Sequence, residues 1–511
     1  MPYRAGRVII SGSLGNIFKT RNNRVIDSTL LGFVLYLVII LAVGIITLRL
    51  TRTLSDYLLA GRRLGIWVVT FSERASGESA WLLIGLPGMA LVGGFSAFWT
   101  AIGCIGGILF SWLVIAKKLR LLTEKYNALT IPSFFEARLA DSTHLVRIIA
   151  TVIIIFFFTA YVAAQFLAAG KVLNITFGLS PLVGMLIGAL IIVAYTIMGG
   201  FFAVAWTDLF QGIIMIFTLV ALPLVMIVEL GGLGEMASVI GGVDPLQVSM
   251  TEGKTGWQAL ALVLGGLGVG LGYMGQPHLV TRFMSIKNPD DLRKGTVIAG
   301  LWAVCGFFGA TLIGLAAIAY FKGTILLGPL GLTDAEQVMP YLVERFFPAW
   351  LAGILISGAI AAMMSTADSQ LVVSTSAVSE DIYHQLINKH ADQRTLLLIS
   401  RVTTLVIGIV AFILALSAKQ LVYWMVLFAW AGLGSAFGPP LLLSLWWKKT
   451  TKAGVAAGMV TGTVVVIVWY FVPVLKSSLY EIIPGFFASL LAVIVVSLLT
   501  DEPRSTSPAL R

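Results

Sequence analysis

Cysteine is nearly absent: the 511 residues hold two, Cys104 and Cys305, and both fall inside apolar runs. That excludes a disulfide framework, and both read as core thiols. Charge is scarce as well, at 11% of residues, too little to coat the surface of a water-soluble domain of this length. A cleavable leader is not evident, because Met1 to Asp27 is polar and basic with no apolar core of its own. The charge that is present is lopsided, 34 Lys and Arg against 24 Asp and Glu. In a chain this apolar the excess says nothing about nucleic acid, since Lys and Arg accumulate in the cytoplasmic loops of membrane proteins.

What fills the chain is hydrocarbon. Hydrophobic residues make up 58% of it and the mean hydropathy is +0.96, so it reads as an all-α polytopic membrane protein. Runs long enough to cross about 30 Å of hydrocarbon fall at roughly thirteen places: 30–50, 64–94, 97–119, 146–169, 182–198, 203–228, 257–276, 296–321, 349–376, 396–416, 421–446, 453–471 and 482–499.

Loop charge sets the expected orientation. One alternate set of loops carries Arg52, Arg62, Arg63, Lys117, Lys118, Arg120, Lys125, Arg138, Arg282, Lys287, Arg293, Lys294, Lys389, Arg394, Lys448, Lys449 and Lys452. The opposite set has only Lys171, Lys254, Lys322, Arg345, Lys419 and Lys476. This places the C-terminus in the cytoplasm and, with an odd count of spans, the N-terminus outside. Arg4, Arg7, Lys19, Arg21 and Arg24 run against that assignment, but five loops outweigh one tail.

The chain is organised around VTFSERASGESAWLLIGLPG at 69–88. Glu73, Arg74 and Glu78 stand where a span should be purely apolar, and each costs a few kcal/mol at the bilayer centre without a cavity or a partner. The small residues Ala75, Ser76, Gly77, Ser79 and Ala80 let the backbone unwind there, which frees carbonyls and amides to bind ions or solutes. A second interruption, GGLGVGLGYMGQPH at 265–278, holds too much glycine for a uniform helix. Interrupted spans at matching places in two halves point to inverted repeats with the binding site between them; close helix packing alone is the plainer alternative.

ILISGAIAAMMSTADSQLVVSTSAVSEDIY, at 354–383, places Ala362, Ser365, Thr366, Asp368 and Ser369 close together on one helix. Hydroxyls with backbone carbonyls suit a hard monovalent cation. Hydroxyls bonding back to the helix explain any one of these residues but not an ionisable Asp among them. Asp208 reads either as an interfacial anchor near a span end or as a site residue, and Arg62 as a topological anchor or a gate. Arg74 either pairs with Glu73 or Glu78 or faces ligand.

These motifs, with LLAGRRLGIW at 58–67, YTIMGGFFAVAWTDLFQG at 195–212 and GLGYMGQPHLVTRFM at 270–284, resemble the sodium:solute symporter family over nearly the full chain, most of all its sodium/proline symporters. The resemblance implies a LeuT-like fold: an extension (1–29), a leading helix (30–50), two inverted five-helix repeats (64–228 and 257–446), two trailing helices (453–499) and a tail (500–511). It implies a sodium site of backbone oxygens at Ala75, Glu78 and Ala362 with the hydroxyls of Ser365 and Thr366. A second sodium is implied near Asp208, Asp368 and Ser369, and a solute site near Ser79, Ala80, Trp81, Tyr161, Tyr273 and Gln276.

The chain departs from the proline symporters at five positions. They carry Asp at Gly77, Met at Glu78, small uncharged residues at Glu73 and Arg74, and Trp at Val269. The expectation is a sodium-driven symporter of a small organic solute such as an amino acid, and not an enzyme. Its partners are sodium, the solute and the bilayer, with a monomer sufficient and no transition metal. A symporter of another small solute (a carboxylate or vitamin) and a transporter-like sensor are the alternatives; the tail after 499 is too short for a signalling domain.

Overall fold

A computed structural model describes residues 28–43, 46, 54–322, 334–418 and 421–500, apart from the side chains at 195, 198 and 199. The early basic residues, Arg52, Lys419 and the tail beyond Thr500 lie outside the described residues, as does most of the leading span after 43.

The described chain is helical. Its apolar helices are α1 (Ser28–Val43), α2 (Ile66–Ala80), α3 (Leu86–Gly93), α4 (Phe98–Phe110), α5 (Leu145–Phe177) and α6 (Pro181–Glu229). There follow α7 (Gly256–Gly268), α8 (Pro277–Ser285), α9 (Leu292–Phe321), α10 (Ala349–Ser376) and α11 (Gln393–Ser417). The series closes with α12 (Val422–Trp446), α13 (Lys452–Phe471) and α14 (Ile482–Leu499).

Local chemistry explains several starts. Ser180 accepts from the Val183 amide with Pro181 in the first turn of α6, Asp392 caps α11 through the Thr395 amide, and Thr451 caps α13 through Gly454.

Ten stretches among the described residues are long and apolar enough to cross a membrane, and 28–43, 181–194 and 233–243 are shorter apolar helices. One of the ten, Ile66–Lys125, has 60 residues. At about 1.5 Å per residue that is far more than one crossing needs, and helical dihedrals break within it at Gly94, where φ is +63°. Thirteen crossings remain the expectation of the span count.

The long α6 is interrupted at Gly200 (φ 58°, ψ −176°), and Pro223 lies in its second part. At the centre, α10 packs on α6, α2 and α5, while α12 packs on the segment 269–275, on α5 and on α13 and α14. The two thiols differ: Cys104 is buried and Cys305 is exposed, so Cys305 is not the core thiol expected. Its helix turns that face away from the protein, toward the place of lipid.

Candidate functional site

The first interruption is narrower than the run of small residues suggested. α2 holds helical dihedrals through Glu78, and the break is confined to Ser79, at φ 48° and ψ −173°. A β-substituted residue in that region is strained. A π-helical turn, Trp81–Gly85, then leads into α3. In the second interruption the chain tightens to a 3-10 helix over Val269–Gly275 before α8.

α10 crosses the first break with its hydroxyls turned toward α2. Ser365 Oγ donates to the Ala75 carbonyl at 3.0 Å and to the Ala362 carbonyl at 3.2 Å. Thr366 Oγ1 donates to the Ser76 carbonyl at 2.9 Å. Ala75, Ala362, Ser365 and Thr366 are therefore brought together, all fully buried. The Glu78 carbonyl instead accepts the Trp81 amide. The donor set is neutral oxygen, which suits a hard monovalent cation more than a divalent one.

One turn further along lies a cluster that revises two expectations. Asp208 is fully buried, so it is no interfacial anchor. Arg282, expected in a cytoplasmic loop, is also fully buried and pairs with Asp208 Oδ2 at 3.1 Å. The span was ended too early, at Gln276, because the nine-residue α8 carries the chain onward inside the protein.

The guanidinium also donates to Ser72 at 3.0 Å, to Ser76 at 2.7 Å and to Ser369 and the His278 carbonyl. Ser72 and Ser76 donate in turn to Asp208 Oδ2 at 2.6 and 3.0 Å, and Ser369 donates to Asp368 Oδ1 at 3.1 Å. The guanidinium thus pairs directly with Asp208 and reaches Asp368 only through Ser369, and Asp208 Oδ1 and Asp368 Oδ2 have no hydrogen-bond partner among the described residues.

The triad of Glu73, Arg74 and Glu78 is internally paired. Arg74 Nε donates to Glu73 Oε2 at 2.6 Å, its Nη2 to Glu73 Oε1, and its Nη1 to Glu78 Oε1 at 2.6 Å. Trp112 Nε1 donates to Glu73 Oε2 at 3.0 Å and the Tyr273 hydroxyl to Glu78 Oε2 at 3.2 Å. Of the two roles left open for Arg74 the structure has it paired, with both glutamates at once. A Cβ at Gly77 would make only an ordinary contact with Arg74 Nη2, at 3.7 Å, and would press on the Leu279 side chain at 3.3 Å.

Beside the breaks is a small aromatic cavity lined by Gly77, Trp81, Tyr161, Tyr273, Leu427 and Trp430, among others. Trp430 Nε1 donates to the Val269 carbonyl at 2.9 Å, and its ring lies 4.6 Å from that of Tyr273. The indole at this point therefore comes from α12. Gln276 donates to the Trp430 carbonyl at 3.0 Å. Val269 and Leu427 also line a large open vestibule bounded by Met89, Thr100, Trp257 and Trp424. Trp81 stacks on Tyr423 with ring centroids 5.8 Å apart.

Arg62 makes none of these contacts and is half-buried. It bonds Thr123, the Ala128 carbonyl at 2.8 Å and the Met284 carbonyl at 3.0 Å. Leu64 and Ile286 form a parallel bridge at the same end, so the chain just before α2 and just after α8 is tied together.

Sequence reasoning missed Arg282, Trp430, Trp112 and Gln165. The last was within reach: a polar amide inside a predicted span, one turn after Tyr161. The others gain meaning only from partners distant in the chain.

The signature of the Sodium:solute symporter family matches residues 57–462. The chain is 39% identical over 475 residues to the sodium/proline symporter of Escherichia coli K12, covering 93% of each protein. It is 40% identical to the high-affinity proline transporter PutP of Bacillus subtilis 168, covering 91% of this chain and 96% of that one. A sodium-coupled sialic acid symporter, solved substrate-bound and outward-open, superposes with a TM-score of 0.76 at 19% identity, over 93% of this chain and 98% of the other. MhsT, solved with L-phenylalanine, gives 0.54 at 14% identity over 84% and 97%.

Two interrupted helices crossed by a hydroxyl-bearing third are thus shared in fold with transporters of the LeuT type, and the sequence match runs through all three: this multi-pass membrane chain belongs to the sodium:solute symporter family.

Proposed function

We propose that this chain imports a small zwitterionic solute of the proline class with sodium, by alternating access. The observation that carries it is the meeting of Ser365 and Thr366 on α10 with the Ala75 and Ser76 carbonyls of α2 at 2.9 to 3.0 Å, directly before the break at Ser79. Sodium is held by the oxygens of Ala75, Glu78, Ala362, Ser365 and Thr366, the hydroxyls turning their lone pairs to the ion. A second cation is taken up by Asp208 Oδ1 and Asp368 Oδ2, with Ser369 beside them; what supports this is that neither oxygen has a hydrogen-bond partner among the described residues. The solute lies against Ser79, Ala80, Trp81, Tyr161, Tyr273 and Gln276.

The repeats 64–228 and 257–446 rock about this point, a monomer suffices, and the C-terminus faces the cytoplasm with the N-terminus outside. A charge moving down about 100 mV releases about 2.3 kcal/mol, and a tenfold sodium gradient about 1.4 kcal/mol. Together they sustain an accumulation of roughly several hundredfold per sodium. Coupling requires only that ion and solute favour the same conformation.

The test is uptake of labelled L-proline and a panel of amino acids and small carboxylates into proteoliposomes, under an inward sodium gradient or choline. Sodium-driven proline uptake is expected. Uptake of a different solute would assign the departures at Glu73, Arg74, Gly77 and Glu78 to solute choice, and sodium-independent uptake would defeat the proposal.

A further inference from the structure

Gln165 lies on α5, one turn after the cavity-lining Tyr161, and is fully buried. Its side chain reaches across to the first break, where Oε1 accepts the Ala80 backbone amide at 3.2 Å. That bond sets which way the amide points, because a backbone N–H can only donate. The Nε2 end therefore faces away from Ala80, and it has no acceptor among the described residues. A buried donor of that kind is seldom left without a partner.

A half-helix start and a second donor lie beside that end. Ala80 and Trp81 begin the outer half of the interrupted helix, which runs through the π turn and α3 to Gly93, and the start of a half-helix is electropositive. Trp81 Nε1 is a second buried donor without an acceptor. The buried carboxylates Glu73 and Glu78 are already bonded to Arg74, Trp112 and Tyr273. In the second interruption, just after the cavity-lining Tyr273, Gln276 Oε1 is an acceptor without a donor among the described residues.

We propose that Gln165 is a specificity-determining residue of the solute site. Its Nε2 donates to the carboxylate of a carboxylate-bearing solute, which is thereby seated at the start of the outer half-helix. This rests on the symport reading and narrows its solute class to amino and imino acids that carry a free carboxylate. The helix start alone would accept any anion; Gln165 adds a directed donor from a different helix. Simple amines, which lack the group it reads, are discriminated against.

The experiment compares wild type with Gln165→Glu in proteoliposomes, using L-proline, L-prolinamide and pyrrolidine as competing ligands and sodium alone as a control. Glutamate keeps an oxygen for the Ala80 amide but replaces the donor with an acceptor. The sodium-induced thermal shift should persist while L-proline affinity falls about tenfold to a hundredfold, with prolinamide and pyrrolidine far less affected. If Gln165→Glu does not accumulate in the membrane, Gln165→Met is read for the same loss of discrimination between acid and amide.

Wild-type affinity for proline in either folded variant, or equal losses for acid and amide, overturns the assignment and leaves Gln165 as a mere brace of the break. A wild-type protein that responds to none of the amino or imino acids in sodium overturns the symport reading itself.

Discussion

Ser365 and Thr366 each hold a carbonyl of α2 at 2.9 to 3.0 Å, so removing one hydroxyl leaves a bound ion an oxygen short in a buried place. Ser365→Ala and Thr366→Ala are each expected to weaken sodium affinity about tenfold or more, with little change in membrane abundance; sodium titrations of uptake read this directly. Asp368 poses a different question. It lies beside the Arg282–Asp208 pair without a cationic partner of its own, and a buried carboxylate stays charged only if it is paired or coordinates an ion. Asp368→Asn should lower the sodium Hill coefficient to one, whereas a wild-type coefficient of one would remove the second ion. For the triad, Arg74→Gln strands two buried carboxylates, a loss of about 3 to 5 kcal/mol. Adding Glu78→Gln should restore part of the melting temperature; a double variant no more stable than the single one would show that the pair is not an energetic unit.

At the scale of elements, the second interruption owes its shape to backbone lying on backbone. A Cβ on Gly270 would stand 2.0 Å from the Gly103 carbonyl oxygen of α4, and one on Gly272 would stand 1.9 Å from Trp430 Nε1. Neither side can move cheaply, since one is main chain and the other an indole hydrogen-bonded to Val269. Gly270→Ala should therefore cost about 1 to 3 kcal/mol or more, read as a lower melting temperature in detergent. Gly265→Ala is the control. Its nearest neighbour would be the Tyr480 side chain at 3.7 Å, so that variant should be neutral or slightly stabilising through helix propensity.

At the scale of the whole molecule, the proposed ion and solute sites lie where α2, α5, α6, α8 and α10 converge, so binding one should hold the others in place. A ligand that binds only the folded protein adds stability with the logarithm of its concentration, about 2.7 kcal/mol at a hundred times its dissociation constant. The melting temperature is expected to rise with sodium and not with choline. Proline should add a further increment in sodium larger than the one it gives in choline. Equal increments in the two salts would mean that the sites are not linked.

The amino-acid sequence by itself determined the membrane class, both interruptions and the oxygens of α10. Each of these is a local signal: hydrocarbon length, glycine density, or a polar group that hydrocarbon will not tolerate. Only tertiary structure decided which partner each buried polar group takes. Asp208 pairs with Arg282 across 74 residues, Ala80 with Gln165 across 85, and Ser365 with Ala75 across 290. A lone charge or amide in a span announces that it needs a partner, but the identity of that partner depends on which helices the packed core brings within about 3 Å, and spacing along the chain does not encode that.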